Sequence, residues 1–514
     1  MKRLTRDILF DSEHLGRDLA RKSIRGGMTT MTAQGIQFVL NLAGTIVLAR
    51  LLTPNDYGLI GMVMVIVNFA TMFKDAGLSM ATVQKEEISH EQISTLFWIN
   101  VLISVALGLC VLAASPLVAM FYGKPELTTV TAALSLSFLI SGLTIQHQAL
   151  LRRHMRFGTL AVIRIVSYAI HLIVAILLAL VGWRYWALVG GSLATALSGT
   201  LLTLFFCPWI PGRMKKGTGV RGMLKFGGYL TGFNFVNYFA RNADNLLIGK
   251  FIGADALGLY AKAYQLFMLP ITQIRAPLTA VVLPVLSRLQ NEPDKCAKYY
   301  YRLVSMLSFI TMPIMGFLFV CSESIVRLLL GEKWLDANVI FKILAVAGFI
   351  QAVETTGGLI MLSTGQSRRF FTYGAIRSAF LVGCFVIGLP WGVCGVAAGF
   401  TIGDYLILFP ALWYCFRGTP VSVAGFLLAI AQPTIAGLIS TGVMYFSYES
   451  FLIEQHDFVA IGICLLVGLL SYLGVWAIIP GGLTTLREFT SYLPLLFRNK
   501  NNRQQAKSPA VVIQ

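Results

Sequence analysis

Apolar residues run along this chain in long unbroken blocks, set apart by short polar breaks, from about residue 27 to residue 480. A helix needs ~20 mainly apolar residues to cross the ~30 Å hydrocarbon core of a bilayer. By that measure the chain holds fourteen candidate spans: 27–51, 55–78, 94–120, 127–147, 158–181, 184–208, 223–250, 254–287, 301–326, 335–361, 371–390, 392–416, 424–447 and 457–480. Closely spaced pairs such as 371–390 and 392–416 also admit other divisions. The pattern predicts an all-α polytopic membrane protein. Connectors are mostly under 17 residues, which leaves no room for an extramembrane domain. Residues 1–26 read as a cytoplasmic, partly amphipathic lead-in, with Leu4, Ile8, Leu15 and Leu19 suited to the membrane surface. They lack the short apolar core and small-residue cleavage site of a signal peptide. Residues 481–514 read as a tail that is polar and disordered at its end.

Polar residues inside the spans are arranged in a way that repeats at an offset of 200. In the first span Gln34, Gln37, Asn41 and Thr45 fall at helical spacing on one stripe, and in the seventh Asn234, Asn237, Arg241, Asp244 and Asn245 do the same. The loops that follow align as ARLLTPNDYGL (49–59) with GKFIGADALGL (249–259), sharing Gly58/Gly258 and Leu59/Leu259. Further on, Asp75-Ala76-Gly77-Leu78 meets Arg275-Ala276-Pro277-Leu278. Two hundred residues cover six spans, so both copies enter the membrane from the same side. The implied plan is two parallel six-helix bundles, 27–208 and 223–416, joined by a basic linker at 209–222. Helices 13 and 14 follow at 424–480. Such halves meeting at a central cavity suit alternating access. A polar stripe on a spanning helix faces protein or water, since lipid would leave its amides unpaired. Bonds to neighbouring helices would also satisfy it.

Composition agrees with the pattern. Of 514 residues 56% are hydrophobic and only 12% charged, against about 25% charged in a soluble domain. This excludes a soluble enzyme, a disordered chain and a secreted disulfide scaffold. The net charge of +18 takes its meaning from where the cations sit, and does not point to nucleic acid. With the N-terminus inside, cytoplasmic segments hold 28 Lys and Arg, the opposite face 6, and the spans the remaining 7. That asymmetry places both termini in the cytoplasm and calls for an even number of spans. The eight cysteines lie almost wholly in apolar runs with no CxxC spacing, so neither disulfides nor a metal site are expected. No GxxxxGK[ST] motif occurs, which argues against ATP hydrolysis. No cofactor is implied.

The segment Ala49-Arg50-Leu51-Leu52-Thr53-Pro54-Asn55-Asp56-Tyr57-Gly58, followed by Asp75-Ala76-Gly77-Leu78, carries a family resemblance. It resembles the Wzx-type flippases of the multidrug/oligosaccharidyl-lipid/polysaccharide exporter superfamily, with their Leu-x-Pro-x-Asp-Tyr-Gly after span 1 and Asp-x-Gly-Leu closing span 2. The likeness covers roughly residues 20–480, and within the family it is most similar to the colanic-acid type of exopolysaccharide exporter. It implies a MATE-like fold in a bacterial inner membrane. It also implies the movement of an undecaprenyl-pyrophosphate-linked oligosaccharide repeat unit from the cytoplasmic to the periplasmic leaflet. Polysaccharide polymerase and chain-length or export machinery would then be partners beside the membrane lipids.

Ionisable groups within spans are the default site candidates. For substrate phosphate the first choices are Arg275 and Arg241, whose guanidinium offers a bidentate fork; Lys262 adds a point charge, and Gln34, Gln37, Asn41, Asn234 and Asn237 add amides. Arg241 also admits an ion pair with Asp244, three residues on. Lys74, Arg164, Lys342 and Arg377 lie near enough to span ends to snorkel. Asp75, Asp244, Glu354 and Asp404 are candidates for gating or ion coupling, with Asp75 placed to form a gate with a basic residue of the other half. Asp56 reads as a helix cap, and His147 and His171 as packed or interfacial. No catalytic or metal-ligating set is expected. The rival readings are a multidrug cation antiporter, which would call for an acidic lumen where seven intramembrane cations face four anions; a membrane polymerase or ligase, which would need a larger periplasmic loop; and a scaffold in polysaccharide assembly.

Overall fold

The computed structural model describes residues 19–75, 77–85, 88–215, 238–239, 241–452 and 455–487, with side chains from residue 29 on and outside 276–281. Asn234 and Asn237, the basic linker from residue 216, and the terminal segments 1–18 and 488–514 lie outside the described residues. Within them the protein is wholly helical. The order is α1 (Leu19–Leu51), α2 (Pro54–Lys74), α3 (Leu78–Gln84), α4 (His90–Tyr122), α5 (Glu126–Gly142), α6 (Ile145–Arg153), α7 (Phe157–Leu180) and α8 (Trp186–Phe206). After a helical stretch at 241–251 come α9 (Ala254–Arg288), α10 (Pro293–Val320), α11 (Ser322–Leu329), α12 (Ala337–Glu354), α13 (Gly357–Ser363), α14 (Ser367–Gly388), α15 (Gly392–Phe416), α16 (Val423–Ser447) and α17 (Asp457–Ile478).

Ten of these stretches are long and apolar enough to cross a membrane, or eleven with the pair α5–α6, which bends by 43°. One of the ten, Ser367–Phe416, is 50 residues long and contains both α14 and α15. The fourteen expected spans are consistent with this set. Their outer faces carry the signature of lipid exposure: Leu102, Met120, Leu180, Phe446 and Leu466 are all exposed. In water such surfaces would aggregate; in a bilayer they are solvated.

Several spans are broken in a regular way. The expected second span is α2 and α3, interrupted at Asp75–Gly77, where Gly77 takes the left-handed φ of 69° that favours glycine. The fourth is α5 and α6, and the tenth is α12 and α13, each a long helix followed by a short one across a threonine-bearing break, Thr144 in one and Thr355-Thr356 in the other.

By internal contacts the chain forms two compact units. The first comprises Met1–Met268, Ile325–Leu344 and Phe371–Ile407; the second Leu269–Ser324, Ala345–Phe370 and Leu408–Gln514. In the first, Leu48 and Leu52 of α1 pack with Leu172 and Ala175 of α7 and Ala187 and Leu188 of α8. A second cluster joins Ile93 and Phe97 to Leu150, Leu160, Cys207 and Trp209. His147 is buried there, its Nε2 3.0 Å from the Trp209 carbonyl oxygen, and His171 stacks on Tyr168. In the second unit α10, α16 and α17 pack through Phe309, Ala436, Tyr472 and Trp476, and the Tyr472 hydroxyl donates to the Phe309 carbonyl (3.0 Å).

Candidate functional site

The loop between α1 and α2 is fixed by its own side chains. Thr53 is the N-cap of α2: its hydroxyl accepts from the Asp56 amide (3.3 Å), and the Asp56 carboxylate accepts from the Thr53 amide (3.0 Å). This reciprocal box, with Pro54 opening the helix, satisfies donors that a helix start leaves bare. The Asp56 carboxylate also accepts from the Tyr185 amide (3.1 Å) and lies 3.5 Å from Arg184 Nε. Asp56, only 1% exposed, therefore holds the loop in place.

The same loop meets its counterpart 200 residues on. Asn55 Nδ2 donates to Asp255 Oδ2 at 2.9 Å. A Cβ on Gly58 would lie 1.7 Å from the Ala254 carbonyl oxygen, and one on Gly258 would lie 1.9 Å from the Pro54 carbonyl oxygen. Each glycine thus receives the first helical residue of the other copy. Residue 58 meets 254 and residue 258 meets 54, which is the reciprocity a twofold axis imposes. The 200-residue repeat seen in the sequence is a contact in space, and glycine is needed at both positions because backbone fills the place of a side chain.

Below this contact lies Lys262, on α9. It is only 7% exposed. Its Nζ sits 3.9 Å from the centroid of the Tyr57 ring and donates to Gln265 Oε1 (3.1 Å), while Gln265 Nε2 donates to Thr45 Oγ1 on α1 (3.3 Å). Among the described residues no carboxylate pairs with it. Arg241 is exposed and likewise has no carboxylate partner among the described residues. The alternative pairing with Asp244 is not formed. Asp244, 5% exposed, instead accepts from the Tyr260 hydroxyl (2.9 Å) and the Asn245 amide (2.8 Å).

Asp404, 3% exposed, is bound by Arg377, whose Nη2 lies 2.6 Å from Oδ1. The snorkelling expected of Arg377 is thereby corrected: a buried carboxylate one helix away outbids the membrane surface. Tyr264 lies in the field of Asp244, Asp404, Arg241 and Arg377 together, so these four groups share one region of the first unit. Lys74 is also turned inward, where its ammonium donates to Ser141. Arg164 is exposed and Lys342 half-buried.

The remaining candidates fall elsewhere. Asp75 caps α3: its carboxylate accepts from the Ser79 amide (2.9 Å) and from the Ser79 hydroxyl. On α1, Gln34 and Asn41 are exposed and Gln37 half-buried, and among the described residues none of the three amides bonds a neighbour. In the second unit Arg275 is exposed and lines a small cleft with Leu303, Leu307, Thr355, Thr356 and Leu359. Glu354, 3% exposed, ends α12 at the break beside that cleft, where Thr356 Oγ1 is 2.8 Å from the Tyr300 hydroxyl. Sequence reasoning missed Tyr57, Gln265, Tyr260 and Tyr264 as partners. The signal available for the tyrosines was their i, i+4 spacing on α9, which puts Tyr260 and Tyr264 on one face. The eight cysteines are free thiols, five of them buried. Among the described residues no cluster could hold a metal ion.

This fold, with its twofold-related helix starts, is that of the membrane flippases and exporters. The lipid II flippase MurJ in an inward closed conformation superposes with a TM-score of 0.69 at 16% identity, covering 88% of this chain and 98% of that one. The chain belongs to the polysaccharide biosynthesis protein family, whose profile matches residues 47–339. Among its relatives, the lipopolysaccharide biosynthesis protein WzxC of Escherichia coli (strain K12) is 27% identical, with 76% of this chain and 79% of that protein covered. The teichuronic acid biosynthesis protein TuaB of Bacillus subtilis (strain 168) is also 27% identical, over 79% of this chain and 85% of its own length.

Proposed function

We propose that this protein is a lipid-linked oligosaccharide flippase. It moves an undecaprenyl-pyrophosphate-linked repeat unit across the bacterial inner membrane for polysaccharide export, by alternating access through a cationic cavity. The observation that carries this reading is the balance of intramembrane charge. Asp404 is answered by Arg377 and Asp244 by Tyr260, whereas among the described residues the basic groups Lys262 and Arg241 have no carboxylate partner. Burying an ion without a counter-ion costs several kcal/mol, so a site that retains cations suits an anionic substrate. A multidrug site for cations would need the opposite sign.

In this reading residues 27–208 and 223–416 are the two bundles that rock. Helices 13 and 14 (424–480) are accessory, and the termini lie in the cytoplasm. Arg241 and Lys262 of the first unit and Arg275 of the second are each proposed for the substrate phosphate, and the amides of Gln34, Gln37 and Asn41 for a water-filled lumen; Asn234 and Asn237, proposed with them, lie outside the described residues. Asp244, Glu354 and Asp404 are the carboxyls proposed for ion coupling, Asp244 and Asp404 by exchanging the bonds to Tyr260 and Arg377 that they now make. Asp75, engaged as the cap of α3, would act in gating only by releasing Ser79. The protein carries substrate and performs no covalent chemistry. Its partners would be the polymerase and the chain-length or export machinery that take up the flipped unit.

The test is the leaflet in which the repeat unit resides in cells lacking the protein, read with a periplasm-side label or glycosidase. Accumulation on the cytoplasmic side, relieved by wild type and not by Arg275→Ala, is the expected result. A unit that already faces the periplasm but stays unpolymerised would overturn the reading.

A further inference from the structure

The geometry points to Tyr57 as a positioning residue for Lys262: its ring holds the buried amine in place with no carboxylate beside it among the described residues, ready for the pyrophosphate of the substrate. This rests on the flippase reading above and assigns a role to the tyrosine of the Pro-x-Asp-Tyr-Gly segment.

A carboxylate beside Lys262 would hold the ammonium equally well but cancel its charge. An aromatic face attracts a cation through its quadrupole, more strongly once water is excluded, and brings no negative charge of its own to cancel it. The ring is held in place from several directions. Trp334, fully buried, packs edge-on against Tyr57 with centroids 5.4 Å apart at 71°, and its Nε1 donates to the Ala49 carbonyl (2.8 Å). The Tyr57 amide donates to the Thr53 carbonyl (3.3 Å), next to the capping box. Gln265 fixes the ammonium from the other side and ties it to Thr45.

The pseudo-twofold axis supplies a control that nature has already built. The 200-residue offset carries Tyr57 onto Leu257 and Lys262 onto Met62. The equivalent contact is thus Leu257 with Met62. Both are fully buried, and both converge on one point, 3.3 Å and 3.2 Å from where a Gly249 Cβ would stand. Packing at this position is therefore met by a thioether of nearly the same length. Only one copy of the repeat carries the charge, together with the aromatic face that holds it. Stability alone does not explain that asymmetry; recognition of one anionic group does. Lys262 lies eight residues into α9 from Ala254, about 12 Å of helix. It sits beneath the Gly58–Gly258 contact, where a head group would arrive last before that contact parts.

The experiment uses the full chain in lipid nanodiscs with undecaprenyl pyrophosphate as probe, measuring binding and thermal unfolding for each variant. Lys262→Met, which copies the equivalent position, is expected to keep the unfolding temperature and weaken binding at least 10-fold. Tyr57→Leu, copying Leu257, is expected to weaken it about 3- to 30-fold, and Tyr57→Phe, which keeps the π face, to restore it. The double variant Tyr57→Leu/Lys262→Met should bind no worse than Lys262→Met alone. Losses that multiply in the double variant, or a Tyr57→Leu protein that binds like wild type, overturn the positioning role while the flippase reading stands. A wild-type protein that binds no undecaprenyl pyrophosphate overturns the flippase reading and this role with it.

Discussion

At the scale of single residues, the pair Arg377–Asp404 shows what a buried charge requires of its partner. Asp404 is 3% and Arg377 21% exposed at the side chain, and their closest atoms are 2.6 Å apart. Removing one partner strands the other, a loss of about 3–5 kcal/mol for buried pairs, whereas replacing both by apolar groups is often neutral. Asp404→Leu should therefore lower the unfolding temperature in detergent sharply, and Arg377→Met/Asp404→Leu should recover most of it. If the double variant also recovers transport, the pair is structural; if it is stable but inactive, Asp404 takes part in coupling. Both ions were legible in the sequence as intramembrane groups. Their pairing was not, because 27 residues and a helix boundary separate them. Asp244 and Tyr260 were hidden for the same reason, with 16 residues and a turn between donor and acceptor. Tyr57 was hidden differently: aromatic residues are common in membrane helices, and only its placement over Lys262 sets it apart.

At the scale of elements, the starts of α2 and α9 form one symmetric contact, and alternating access would require it to open. A Cβ cannot lie 1.7 Å from a carbonyl oxygen, so Gly58→Ala must push the two helix starts apart. In a background freed of the eight native cysteines, Asn55→Cys/Asp255→Cys should form a disulfide, since the native side chains already meet at 2.9 Å. That bond is expected to arrest transport, and reductant to restore it. Adding Gly58→Ala or Gly258→Ala should cut cross-linking several-fold; unchanged yield would show that the contact is not the closed state's seam. Here the sequence was informative, because a repeat that keeps glycine at the same place in both copies declares a backbone approach. The helix breaks were less legible. Gly77 marks one, but the breaks at Leu143-Thr144 and Thr355-Thr356 carry residues that spanning helices also accept, and hydropathy averaged over ~20 residues passes over them.

At the scale of the whole chain, topology follows from two independent arguments. The first is charge: 28 Lys and Arg on one side of the expected spans against 6 on the other are the basis for the proposal that both ends lie in the cytoplasm. The second is parity. Asn55 and Asp255 touch, so their loops lie on one side of the membrane, and an even number of crossings separates them. Among the described residues α2–α3, α4, α5–α6, α7 and α8 provide five, and the expected span 223–250, which lies mostly outside the described residues, would be the sixth. Only the charge argument says which side that is, and the cations near these loops, Arg50, Lys250 and Lys333, belong to the sparse face. Arg50 Nη2 donates to the Leu328 carbonyl there (2.7 Å), which gives at least one of them a structural reason to be present. Alkaline phosphatase, which is active only outside the cytoplasm, should therefore be active when fused after Lys124 or Gly253. It should be silent after Arg153 or Arg417, where a fluorescent protein should instead fold. Activity at Gly253 without activity at Lys124 would break the parity count between the two loops, and fluorescence at Gly253 would invert the charge argument while leaving the twofold contact intact.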